Sequence, residues 1–186
     1  MDAPSKRALL QLARETLAAY FNRTPLPVPD LEQFPAVNRP SGVFVTVYVN
    51  EALQGCLGHI EPEKPLYRQV QELVVSAATR DPRFQGVQRD DLPRTTIEIS
   101  VLSEFQEIKT IDDIVPGQHG VLVELGGQRG ILLPQVAVKR DWSVERFLAE
   151  SCIKAHLPRD AYLAEETSIY IFTVEMMSET EFSNHD

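Results

Sequence analysis

Apolar residues recur at intervals of three and four between Pro4 and Tyr20: Leu9, Leu10, Leu12, Ala13, Leu17 and Tyr20. That stripe predicts a helix, with Asp2 or Ser5 capping its start. A second helical stripe runs from Leu66 to Thr79 through Val70, Leu73, Val74 and Ala77. Pro65 suits its first turn, and Asp81-Pro82 ends it, because a residue before proline avoids the helical region. A third helix is predicted from Val144, Phe147, Leu148 and Cys152, capped by Ser143 and reaching about His156.

The strand signals are different. Gly42–Val49 is β-branched and aromatic throughout and is expected to be buried on both faces. Asn50-Glu51 offers a turn, so Ala52–Leu57 returns as the second strand of a hairpin. Thr95–Leu102 alternates Ile97, Ile99 and Val101 with Glu98 and Ser100. Gly126-Gly127 joins Gly120–Leu125 to Arg129–Leu133, since glycine accepts the positive φ of a tight turn. Ser168–Val174 is the last expected strand, and the polar tail Ser178–Asp186 is expected to fray. Pro25, Pro27, Pro29, Pro35 and Pro40 remove five amide donors, so residues 24–41 are expected to form an extended surface loop. Strands at irregular intervals with at least three helices predict an α+β fold, mainly antiparallel sheet flanked by helices, and disfavour a doubly wound parallel sheet.

A length of 186 residues fits one domain, or two small lobes sharing one core. With 43% hydrophobic residues the chain can fill a core, and no stretch approaches the roughly 20 apolar residues of a membrane span. The charge, 18 basic against 27 acidic residues for a net −9, argues against a broad nucleic-acid surface. Nucleic-acid binding would need Arg80, Arg83, Arg89, Arg94, Lys139 and Arg140 gathered on one face. Two cysteines, no secretory core at the start and no paired-ligand spacing predict a reduced, cytoplasmic protein without a metal site. No nucleotide or cofactor signature occurs, so no cofactor is expected.

Chemistry concentrates in Leu53-Gln54-Gly55-Cys56-Leu57-Gly58-His59. The glycines let the backbone bring the Cys56 thiol close to another chain or a ligand. The thiol reads either as a nucleophile activated by an imidazole or by freed amides, or as a small residue filling a tight corner. Arg83 either clamps a carboxylate or phosphate or caps the preceding helix. Glu98 is either a base or orienter in a cleft or the polar side of a half-buried strand. His119, between glycines before a strand, is either a general base or a turn residue. Cys152 falls among core positions, and Lys154 and His156 mark a helix end.

Taken in order, GVFVTV (42–47), LQGCLG (53–58), DPRF (81–84), IEISVL (97–102), GQHG (117–120), RGILLP (129–134) and Trp142 with Phe147-Leu148 closely resemble the AMMECR-type domain family of the AmmeMemoRadiSam system. The likeness spans about Arg7 to Glu175. It implies a single AMMECR-type domain of a larger and a smaller lobe, with the hexapeptide near the groove between them. It also implies a pathway shared with Memo-type and radical S-adenosylmethionine proteins as partners, without naming a reaction. On this resemblance Cys56, His119 and Glu98 are the expected catalytic residues, and Arg83, Gln54, Gly55 and Gly58 the binding residues for a small or anionic ligand. Gln54 stands where the family usually has arginine, removing a fixed charge and a bidentate donor. His156 stands where glycine is common, and Tyr162 where tryptophan is.

Overall fold

A computed structural model of the chain describes residues 1–61 and 63–182. It divides into two compact units, Met1–Leu102 with Glu175–Asp186, and Ser103–Val174. Each unit has a four-stranded antiparallel sheet and its own apolar cluster.

In the first unit the sheet order is β2-β1-β3-β8, where β1 is Val43–Val49, β2 Ala52–His59, β3 Thr95–Leu102 and β8 Val174–Ser178. Helices α1 (Ala3–Asn22) and α2 (Leu66–Thr79) supply much of its apolar cluster, with Leu9, Leu17, Val70 and Val74 fully buried beside Val43, Val45 and Val47. Asp2 is the N-cap of α1, accepting from Ser5 N–H at 2.9 Å. The β1–β2 hairpin turns on Asn50 and Glu51, at φ 49° and 65°, as the mirror-image turns favoured in hairpins require.

In the second unit the order is β4-β7-β5-β6, with β4 Gln106–Ile108, β5 Gly120–Leu125, β6 Gln128–Leu132 and β7 Ser168–Phe172. Gly126 and Gly127, at φ 59° and 82°, make the turn between β5 and β6. Helix α4 (Val144–Lys154) starts at Ser143, whose hydroxyl accepts from Arg146 N–H, and puts Phe147, Leu148 and Cys152 in the core. Burial pushes the Cys152 thiol up from its ordinary value. A short helix α3 (Pro134–Lys139) precedes it.

Four expectations change. Residues 24–41 are not extended throughout. The Asp30 carboxylate accepts from Glu32 and Gln33 N–H and starts a turn, and a 3-10 turn at Pro35–Asn38 buries Val37. The last expected strand breaks at Thr173, which trades hydrogen bonds with Ser103, and the chain resumes as β8 in the other sheet. The start of the tail is ordered as α5 (Glu179–Phe182), because Glu179 accepts from the Arg14 fork and from Ile97 N–H. The remainder of the tail, 183–186, lies outside the described residues. Finally, β1 is not apolar on both faces. Val43, Val45 and Val47 are fully buried, whereas Phe44, Thr46 and Tyr48 alternate with them on a face that is partly open.

Candidate functional site

The site begins with the register of three strands. Thr46 lies opposite Cys56 on β2 and opposite Glu98 on β3, so Cys56, Thr46 and Glu98 form one row across the sheet. Tyr48 and Thr96 face each other one step along, and Phe44 and Ser100 one step the other way. All belong to the face that alternates with the buried valines.

β2 is the edge of this sheet, and at Cys56 both backbone polar groups bond to side chains instead of a strand. Cys56 N–H donates to Asp81 Oδ2 at 2.9 Å, and Cys56 C=O accepts from Arg83 Nη2 at 3.0 Å. Asp81 and Arg83 are joined by a fork, Nε to Oδ1 at 2.9 Å and Nη2 to Oδ2 at 2.6 Å. Since both Cys56 groups point away from β1, Thr46 and Cys56 are a non-hydrogen-bonded pair, the kind that brings side chains closest. The Thr46 hydroxyl accordingly donates to Cys56 Sγ at 3.3 Å.

Asp81 is 1% exposed at its side chain and Arg83 60%. The Arg83 hydrogen bonds, opposed in part by burial, hold the Asp81 carboxyl well below the usual carboxylate range, and Asp81 in turn pushes the Arg83 guanidinium up. Burial first, then the charges of Glu98 and Cys56, push the Tyr48 phenol up, so it stays a proton donor over a wider pH range.

The two glycines of the hexapeptide do separate jobs. A Cβ on Gly55 would lie 1.8 Å from the Ala77 carbonyl oxygen of α2, so Gly55 lets the helix touch the strand. A Cβ on Gly58 would lie 2.3 Å from the Phe44 ring, so Gly58 makes room for that ring on the face of Cys56. Pairing skips Gln54 between Gly55 and Leu53, making it the extra residue of a β-bulge two positions before Cys56. Thus Cys56, Glu98, Arg83, Gln54, Gly55 and Gly58 all belong to the first unit, on β2, β3 and the turn after α2. Arg83 grips a carboxylate, but the chain's own.

His119 belongs to the second unit. Its Nδ1 lies 3.1 Å from both Val115 N and Asp113 O, and its own N–H donates to Val115 O at 2.9 Å. A bare Nδ1 accepts from Val115 and a protonated one donates to Asp113, so with either tautomer the ring closes its own loop.

Thr46, Tyr48 and Asp81 were not among the residues expected from the sequence. The signal for the first two was present in V-F-V-T-V-Y-V, where hydroxyls occupy alternate positions. Asp81 stood out only as part of the DPRF segment, and its bond to Cys56, 25 residues away, had no local signal.

The AMMECR1 family model matches residues 10–177. The chain belongs to the AMMECR1 family. Among its AMMECR1-type relatives, Protein MJ0810 of Methanocaldococcus jannaschii is 39% identical over 160 residues, covering 81% of this chain and 80% of that protein. A protein of Aquifex aeolicus is 34% identical over 184 residues, covering 94% and 93%. The crystal structure of uncharacterized protein PH0010 from Pyrococcus horikoshii matches with a TM-score of 0.87 at 34% identity, covering 96% of this chain and 93% of that one. The α+β fold is therefore an AMMECR1 fold. Among the described residues no helix is long and apolar enough to cross a membrane, and no group of three or more His, Cys, Asp or Glu could hold a metal ion.

Proposed function

We propose that this AMMECR1-family protein is a thiol-dependent enzyme or carrier, with Cys56 as the nucleophile and Arg83 and Asp81 as positioning residues. One observation carries the reading. The Cys56 backbone is held on both sides by an ion pair, while the residue is half-buried on a face shared with Thr46, Tyr48 and Glu98. A corner-filling cysteine needs no such clamp, whereas a nucleophile gains from a fixed backbone. The two free cysteines suit the reducing cytoplasm, and the family resemblance supports a pathway shared with Memo-type and radical S-adenosylmethionine proteins.

The test is intact-mass analysis of the protein purified from its own cells, followed by peptide mapping. A mass adduct on Cys56 that disappears in Cys56→Ser, together with loss of the cellular function in that variant, is expected. Full function with Cys56→Ala would overturn the reading.

A second reading is a non-catalytic adaptor docking the same partners. It is favoured by Gln54, which leaves the bulge without the usual guanidinium, and by Arg83, whose fork already holds Asp81. Under that reading Cys56→Ser keeps both partner binding and function. Nucleic acid is not proposed as the ligand, since Arg83 and Arg94 pair with carboxylates and Arg89 donates to Asn22.

A further inference from the structure

A thiol nucleophile can serve two broad chemistries, displacement at a saturated carbon or addition to a carbonyl. They make different demands on the protein. Displacement develops no new charge on an oxygen atom of the electrophile, whereas addition turns a carbonyl oxygen into an oxyanion that a fixed donor stabilises.

The face of Cys56 carries such a donor. Tyr48 lies on the same strand face as Thr46, two residues along, and Thr46 is the direct partner of Cys56. Diagonal neighbours on a sheet face are about 7–8 Å apart at Cα, within reach of an aromatic side chain. The bulge at Gln54 falls between these two rows, where the local twist of the edge strand increases and side chains are re-aimed. The ring is half-buried, and its phenol lies close enough to Cys56 and Glu98 to feel the charge of each. Thr46 is the hydroxyl on the row of Cys56 itself, but it already donates to Sγ.

We propose that Tyr48 is a catalytic hydrogen-bond donor of this site and that the electrophile taken by Cys56 is a carbonyl compound of the acyl class, an ester or thioester. This rests on the reading of Cys56 as a nucleophile. The Cys56 thiol gives its proton to water, and the thiolate adds to the carbonyl carbon, forming the C–S bond as the π pair moves onto oxygen. The Tyr48 O–H donates to that oxyanion. Collapse restores the carbonyl and breaks the bond to the alkoxide or thiolate leaving group, which departs with the electron pair and takes a proton from water. Cys56 is left as a thioester.

Two probes separate the chemistries on one protein. p-Nitrophenyl acetate acylates a thiol through an oxyanion and releases coloured p-nitrophenolate, whereas iodoacetamide alkylates the same thiol by displacing iodide. Both rates are followed at Cys56 by peptide mass spectrometry, with Cys56→Ser as the blank. Tyr48→Phe is expected to slow acylation about 100-fold, the lower end of what loss of one oxyanion donor costs. Its alkylation rate should stay within about twofold of the wild type, which also shows that the fold and the thiol are intact. A parallel fall of both rates, or no change in either, would overturn the role of Tyr48. A wild-type Cys56 that reacts with neither probe would instead overturn the thiol reading beneath it.

Discussion

Both units place a glycine on an edge strand so that a helix can rest against it, and they differ in how they satisfy the strand's outward backbone. In the second unit Gly130 on β6 meets α4, where a Cβ would lie 2.0 Å from Ser151 O, and the Ser151 hydroxyl donates to Gly130 O at 3.0 Å. In the first unit Gly55 on β2 meets α2 in the same way, but the next residue is held by a buried carboxylate and a guanidinium. One hydroxyl suffices to close an edge against a helix. Burying Asp81 costs desolvation that a hydroxyl avoids, and the groups it orders are those of Cys56. The extra device marks the first unit's edge as the place where position matters.

The largest effects should come from the glycines. Gly55→Ala and Gly130→Ala each push a methyl into helix backbone and should lower stability by about 3 kcal/mol in urea unfolding. Only Gly55→Ala should also change the iodoacetamide rate of Cys56 in the protein that remains folded. Equal effects on Cys56 from both would remove the contrast between the units.

Arg83→Ala should cost about 2 kcal/mol, because it leaves Asp81 buried without its main partner. Ser151→Ala should cost about 1 kcal/mol through its single hydrogen bond. Comparable losses would mean that the clamp is merely another edge closure.

The clamp also has a pH signature. Asp81 is ordinarily protonated near 3.8 in the unfolded chain, and its folded carboxyl is depressed below that. The unfolded state therefore binds the proton first, so this contribution is present above the ordinary value and is lost as pH falls below it. The thermal midpoint of the wild type should drop between about pH 5 and pH 3, and Asp81→Asn should flatten that drop. An unchanged slope in the variant would show that Asp81 is not the group responsible.

The smallest expected effect is a gain. His156 sits at φ 60°, in the left-handed region that glycine occupies without penalty. Replacing it with glycine should raise stability by about 0.5 kcal/mol, the relief of strain less the added chain entropy. A loss in thermal melting would show that the imidazole makes a compensating contact.

Periodicity and capping were enough for α2 (Leu66–Thr79), β3 (Thr95–Leu102) and β5 (Gly120–Leu125), whose bounds agree with expectation residue for residue. These elements are specified by neighbours in the chain: a 3.6 or 2.0 repeat, a proline, a glycine pair. β4 and β8 were not legible, because each is short and is stabilised by pairing with a strand remote in sequence. The same division runs through the site. Cys56, Gly55 and Gly58 stood out as local text, and so did the DPRF segment, but not that Asp81 and Arg83 bond to Cys56.

Residue order alone settled where the long helices and the main strands lie and to which family the chain belongs, since those properties depend on local repeats and on an ordered set of short motifs. It also singled out the thiol. Only the folded chain decided that Thr46, Tyr48 and Glu98 share its face and that an ion pair holds its backbone. Those relations arise from strand register and from contacts 10 to 52 residues apart along the chain, which no local pattern encodes.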